Sequence, residues 1–259
     1  MRSKHIVLAG IALLAVLSVF FVPAIPQDTQ YHNFADQRAF FGIPNFFNVV
    51  SNLPYLVFGL VAYFFLLKEA RPAIIHSLRY AYLLFFIGVS LVCLGSGYYH
   101  LFPDNSTLLW DRLPMTIAFM SFFTVIVAEY AHEQAARRAF LPLIVIGIVS
   151  VFYWYWTETR GVGDLRLYGL VQFLPMILIP LILWLYSGRY SHAHYFWIMV
   201  GCYLLAKVFE ATDQLIYDAI GFSGHSLKHL VSSAAPYLFY LALKNRKERL
   251  NFENTVSNT

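Results

Sequence analysis

The string GSGYYH at residues 95–100 closes an apolar run on His100, and GHSLKHL at 224–230 opens another with His225 and His229. Four residues separate His225 from His229, so on a helix both imidazoles project from one face, one turn apart. That geometry suits two ligands of one metal ion. A third imidazole and an open fourth position would complete a donor set used by catalytic zinc. HxxxH alone equally describes two interfacial histidines bonded to backbone or water. Its joint occurrence with His100, and with other polar groups at the same depth, is what points to a metal.

Further groups converge on this constellation. Ser96 precedes His100 by one helical turn. Its hydroxyl could donate to the oxyanion of a tetrahedral intermediate, or merely bond back to a carbonyl one turn earlier. Asp111 follows His100 by eleven residues, and FPDNST between them reads as a tight turn that returns Asp111 to the level of His100. A carboxylate there would act as general base to water on a metal or would orient a ligand histidine. Adjacent Arg112 is a possible partner, although neighbours on a helix point in different directions. In AKVFEATDQLIYD, Lys207 and Glu210 stand three apart beside Asp213 and are expected to neutralise one another. Lys228 lies between the two histidines, nominally on another face, within reach of Glu210 or Asp213. Asn45, Asn48, Ser51 and Asn52 form a polar stripe that could bond across helices.

Polar groups at such positions require apolar elements to hold them. The chain has 259 residues, 59% hydrophobic and only 12% charged. A soluble domain of this size needs far more charge. Candidate spans fall at about 5–26, 46–67, 79–101, 108–130, 139–156, 167–187, 194–217 and 225–243. Each can cross a hydrocarbon layer of ~30 Å as ~20 helical residues. Continuous apolar runs exclude a β-barrel, whose strands alternate. The expected fold is therefore all-α: a seven-helix membrane bundle over 28–243, an extra N-terminal hydrophobic span over 1–27, and a tail over 244–259. MRSK before an apolar run also suits a signal peptide, but VPAIP is a poor cleavage site and the run is long, so an uncleaved anchor is expected. Residues 27–45 read as an amphipathic segment at the interface. Cys93 and Cys202 sit within apolar spans and read as buried apolar residues rather than a disulfide or a metal site.

Lys and Arg set the orientation. Arg2, Lys4, Lys68, Arg71, Arg79, Arg137, Arg138, Arg189, Lys244, Arg246, Lys247 and Arg249 fall on one side, against Arg38, Arg112, Arg160 and Arg166 on the other, twelve to four. The excess marks the cytoplasmic side and puts both termini there. All three histidines then lie at the non-cytoplasmic level. The net charge of +4 serves topology and gives no sign of a nucleic-acid partner.

Ser96-x3-His100, Asp111, His225-x3-His229 and the segment NFFNVVSNLPY at 45–55 resemble the alkaline ceramidase family. More broadly they resemble the seven-helix membrane hydrolases that include progestin/adiponectin-type receptors and GPI-anchor remodelling proteins. The resemblance covers about residues 28–243. It implies zinc on His100, His225 and His229, assistance to the oxyanion by Ser96, and service by Asp111 to the water that zinc activates. It also implies a membrane lipid substrate of the ceramide class, reached laterally from lipid. Eukaryotic ceramidases carry an acidic calcium-binding segment before the first core span. Here Asn45 stands where that family has Glu, so at most a weaker calcium site at Asp36, Asn45 and Asn48 is implied.

The expected function is a zinc-dependent amidase that hydrolyses the N-acyl amide of ceramide-like sphingolipids to a fatty acid and a sphingoid base. An esterase or phospholipase of the same superfamily would share the metal. A receptor-like protein would use zinc only to hold the bundle, with a closed fourth ligand.

Overall fold

A computed structural model describes residues 2–70 and 72–249. Its helices are α1 (Arg2–Ser18), α2 (Phe46–Val50), α3 (Leu53–Lys68), α4 (Arg79–Leu101), α5 (Asn105–Tyr130), α6 (Glu133–Glu158), α7 (Arg166–Leu185), α8 (His194–Ala211), α9 (Asp213–Ile220) and α10 (Gly224–Asn245). Isolated bridges pair Phe40 with Ile43 and Tyr190 with Glu248, and no strand occurs among the described residues. The protein is all-α and polytopic. Five segments are long and apolar enough to cross a membrane: Phe46–Lys68, His76–Leu101, Asn105–Tyr130, Glu133–Glu158 and Arg166–Leu185. The α8–α9 pair, bent by 78°, makes a sixth if it is one span. Large apolar side chains such as Phe64, Leu94 and Trp184 point outward, whereas Ser90, Ser121, Thr124 and Ser150 are buried. That distribution suits lipid as solvent, where packed helices bury their small and polar residues.

Several element boundaries differ from the sequence expectation, each for a local reason. The first helix stops at Ser18 rather than near residue 26. Pro23 and Pro26 follow and cannot continue a helical ladder. Helix α5 starts at Asn105 rather than 108, because Asp104 and Thr107 form a capping box. The expected single span 194–217 breaks at Thr212. Asp213 at the break accepts from the Ser223 hydroxyl at 2.6 Å and from His225 N–H at 2.9 Å. The break therefore serves the start of α10. Residues 27–45, expected as an amphipathic segment, contain no α-helix. They form an irregular strap with a 3-10 turn at Thr29–His32 and a sharp turn through Phe41 (φ 54°) and Gly42 (φ 76°). The strap crosses one end of the bundle and buries Phe34 there.

Opposite ends of the bundle carry different fastenings. At one end the buried Glu129–Arg246 pair (2.7 Å) joins α5 to the end of α10, while Arg246 also donates to the Ala73 carbonyl. Arg189 joins Glu133 and Glu248 there, at 3.0 and 2.6 Å. At the other end, Arg112 donates to Gln27, Arg166 pairs with Asp164, and Arg166 reaches the Val19 and Val22 carbonyls. The histidines belong to this second end. Arg71, part of the charge count, and tail residues 250–259 lie outside the described residues.

Candidate metal and catalytic site

His100 comes from the last turn of α4, and His225 and His229 from the first two turns of α10. One ring nitrogen from each lies within 4.8 Å of the others, and all three residues are buried. Every pair of rings is 4.9 Å apart between centroids. The His100 and His229 Nε2 atoms approach to 3.4 Å. Phe34 of the strap covers them, 4.6 Å from the His100 ring and 4.8 Å from that of His225.

Neighbouring groups fix the imidazoles. Ser51 Oγ is 2.9 Å from His229 Nδ1 and gives its only proton to the Asn48 carbonyl at 3.1 Å. Asn52 Nδ2 lies 3.3 Å from the same nitrogen, and these contacts set the ring with Nε2 towards His100, 3.4 Å from that residue's Nε2. Asn45 Nδ2 donates to the His100 carbonyl at 2.9 Å and ties down the end of α4. His100 Nδ1 is buried without a partner. Lys228 Nζ lies 3.0 Å from His225 Nε2 and 3.1 Å from Glu210 Oε1. Lys228 is thus not turned away from the histidines, as spacing on the helix suggested. Residues three apart on a helix are neighbours, and the long lysine stem closes the remaining gap. Three buried imidazoles with an orphaned ring nitrogen are the chemistry of a transition-metal site, with zinc among the metals such a set suits.

Asp111 shares a hydrogen bond with Ser96 and lies within electrostatic reach of Lys228. Gly95 makes the contact feasible, because a Cβ there would collide with the Trp110 carbonyl; only hydrogen lets α4 and α5 close this far. Arg112 points away from its neighbour. It donates to Gln27 Oε1 at 2.6 Å and stacks over Trp154 and Tyr168 at 4.1 and 4.6 Å.

The calcium expectation finds no support. Both Asp36 carboxylate oxygens receive Arg38, at 2.8 and 2.6 Å. Burial raises the Asp36 carboxyl, but the Arg38 hydrogen bonds outweigh it and hold the group below its ordinary value. The amide nitrogen of Asn45 donates to the His100 carbonyl. Asn48 donates to the Asp36 carbonyl at 3.0 Å and accepts from Ser226 at 2.7 Å. These side chains stitch the strap to α10, and a guanidinium holds the position a cation would need.

Sequence reasoning missed the strap's part in the site. Tyr31 donates to Glu210 Oε1 at 3.3 Å, and His32 bridges the Tyr99 hydroxyl and Asn105 at 2.9 and 3.0 Å. Ala35 N–H donates to Asp213 at 3.0 Å. No periodicity marks such residues, since an irregular segment has none. Both cysteines are free thiols.

The model of the family described as Ceramidase matches residues 39–255. A protein of Klebsiella pneumoniae (strain 342), a probable 4-amino-4-deoxy-L-arabinose-phosphoundecaprenol flippase subunit, is 34% identical over 94 residues. That stretch is 32% of this chain and 76% of the flippase subunit. It touches about a third of the chain, against most of it for the family match.

Proposed function

The chain belongs to the ceramidase family, and on that premise we propose that it is a zinc-dependent intramembrane amidase cleaving the N-acyl amide of ceramide-like lipids. The observation that carries the reading is the convergence of His100, His225 and His229 within 4.8 Å, buried in a chain of that family. The chemistry that zinc supplies in such a set is activation of water near neutral pH and polarisation of a carbonyl.

The protein's own groups then divide the work. Asp111 takes the proton of the attacking water on a carboxylate oxygen. In the resting arrangement the Ser96 hydroxyl has one proton, and a carboxylate neighbour claims it. Once Asp111 is protonated, it donates to Ser96 Oγ instead, and the serine proton turns to the developing oxyanion. Proton uptake at Asp111 and oxyanion stabilisation at Ser96 are thus one event. Return of the proton from Asp111 to the leaving nitrogen breaks the C–N bond and yields a fatty acid and an amine. Phe34 over the histidines keeps bulk water from the site.

The same reading sets the orientation. The Lys and Arg residues on the more basic side, eleven of them among the described residues, flank the end opposite the histidines, which favours cytoplasmic termini and a site towards the non-cytoplasmic leaflet. The lipid arrives laterally, its acyl chain among Phe and Leu side chains.

Release of fatty acid from N-acyl sphingoid bases and matched ester lipids tests this, with purified wild type, His225→Ala and their zinc contents compared. Amide turnover by the zinc-loaded wild type alone is expected. Ester-only turnover would make the protein a lipase of the superfamily. Full zinc with no turnover of either class would leave a metal that only holds the bundle.

A further inference from the structure

Charged groups that lead to the histidines share one face of α8. Tyr203, Lys207 and Glu210 follow at i, i+4 and i+7, the spacing of a single helical stripe. Glu210 accepts from Lys207 at 2.6 Å through Oε2, and from Lys228 at 3.1 Å and Tyr31 at 3.3 Å through Oε1. Lys228 continues to His225 Nε2 at 3.0 Å. A path of polar contacts therefore runs from α8 to His225 on α10.

Exposure falls along this path. The Lys207 side chain is 37% exposed, those of Glu210 and Lys228 are 18% and 17%, and His225 is buried. Phe173 of α7 lies 5.6 Å from the Lys207 ammonium and is itself exposed. Helices α7 and α8 touch only sparsely, unlike α8 and α10. Lys207 and Phe173 are thus both open where α7 and α8 touch sparsely. A second observation is independent of the ion pairs. The Tyr203 hydroxyl is buried with no partner, within electrostatic reach of Glu210. Mutual neutralisation of Lys207 and Glu210 explains neither that hydroxyl nor a second lysine on the same carboxylate. Charged groups left partly open at membrane depth mark functional paths.

We propose that Tyr203, Lys207 and Glu210 form a headgroup subsite that binds hydroxyl groups on the polar head of the lipid. The subsite selects N-acyl amino alcohols over N-acyl alkylamines, and it rests on the amidase reading above. Glu210 Oε2 receives only Lys207, which leaves it a lone pair for a substrate hydroxyl. Lys207 has further N–H donors, and the Tyr203 hydroxyl gains the partner it lacks. A site built to hydrogen-bond a hydroxyl rejects the analogue without it, because its own polar groups are then left unpaired.

The test compares kcat and KM for an N-acyl amino diol and its deoxy analogue, using the full-length protein in lipid nanodiscs. Wild type, Lys207→Met and Tyr203→Phe are measured, each with its zinc content and its binding of the free amino diol and deoxy base. Wild type is expected to prefer the diol by roughly 10- to 100-fold. In both variants that preference should fall several-fold through KM, with zinc content unchanged. An unchanged preference in both variants overturns the subsite. So does loss of zinc from Lys207→Met, which would make the stripe scaffolding for the triad. If wild type hydrolyses neither amide, the amidase reading fails, and base binding still decides the subsite: equal binding of diol and deoxy base removes it, and a Lys207-dependent preference retains it.

Discussion

At the scale of single residues, the site consists of side chains whose partners decide what each can do. Ser51 Oγ lies 2.9 Å from Nδ1 of His229 and Lys228 Nζ 3.0 Å from Nε2 of His225, while His100 Nδ1 has no partner. The histidines, Ser96 and Asp111 are legible in the sequence, because HxxxH and SxxxH are helical spacings and the Pro-Asp-Asn turn returns Asp111 to their level. The orienting groups are not legible, since Ser51 reaches a residue 178 positions away. His229→Ala is expected to lose zinc on purification, because two imidazoles rarely hold the ion firmly; elemental analysis showing full occupancy would remove the metal assignment. Asp111→Asn should keep its zinc but lose ~10²- to 10⁴-fold in kcat, since an amide cannot take the water's proton. Undiminished turnover would strip Asp111 of that role.

At the scale of elements, what matters is how closely helices approach and where they stop. Helices α4 and α5 carry Ser96 and Asp111 and are pressed together at Gly95, where a Cβ would strike the Trp110 backbone. Gly97, two residues on, has open space. Gly95→Ala is therefore expected to cost about 1–3 kcal/mol, through forced backbone movement, and to lower activity by parting Ser96 from Asp111. Gly97→Ala should be neutral or stabilise by about 0.5–1 kcal/mol, as alanine does inside a helix. Equal thermal shifts for the two variants would refute this account of the α4–α5 contact. The sequence placed α4 correctly and missed the α8–α9 break and the strap. Apolar periodicity reports which segments are helical. It is silent on a bend whose cause is Asp213 bonding to Ser223 and to His225 N–H.

At the scale of the whole molecule, two sets of fastenings fix which helix ends lie together. Glu129–Arg246 gathers one end, and Asp164–Arg166 ties α7 to the carbonyls after α1 at the other. Hydrogen bonds from Arg166, opposed by burial, lower the Asp164 carboxyl from 3.8 to about 2. A carboxyl depressed on folding stabilises the native state above its unfolded pKa and loses that contribution as pH falls through the folded one. Asp164→Asn should accordingly be less stable than wild type above about pH 4, with the gap closing as pH falls towards about 2. Melting temperatures of the two proteins in detergent across that range would show it, and a gap independent of pH would refute it. The sequence by itself determined the solvent of this fold, the helical segments and the identity of the candidate ligands, because hydropathy and helical spacing are local properties of the chain. Only the tertiary structure decided that three histidines from α4 and α10 share one buried point, that a strap with no periodicity covers them, and that Arg38 rather than a cation takes Asp36. The first two facts depend on contacts between residues far apart in sequence, and the third on the conformation of an irregular strap, and no local pattern records either.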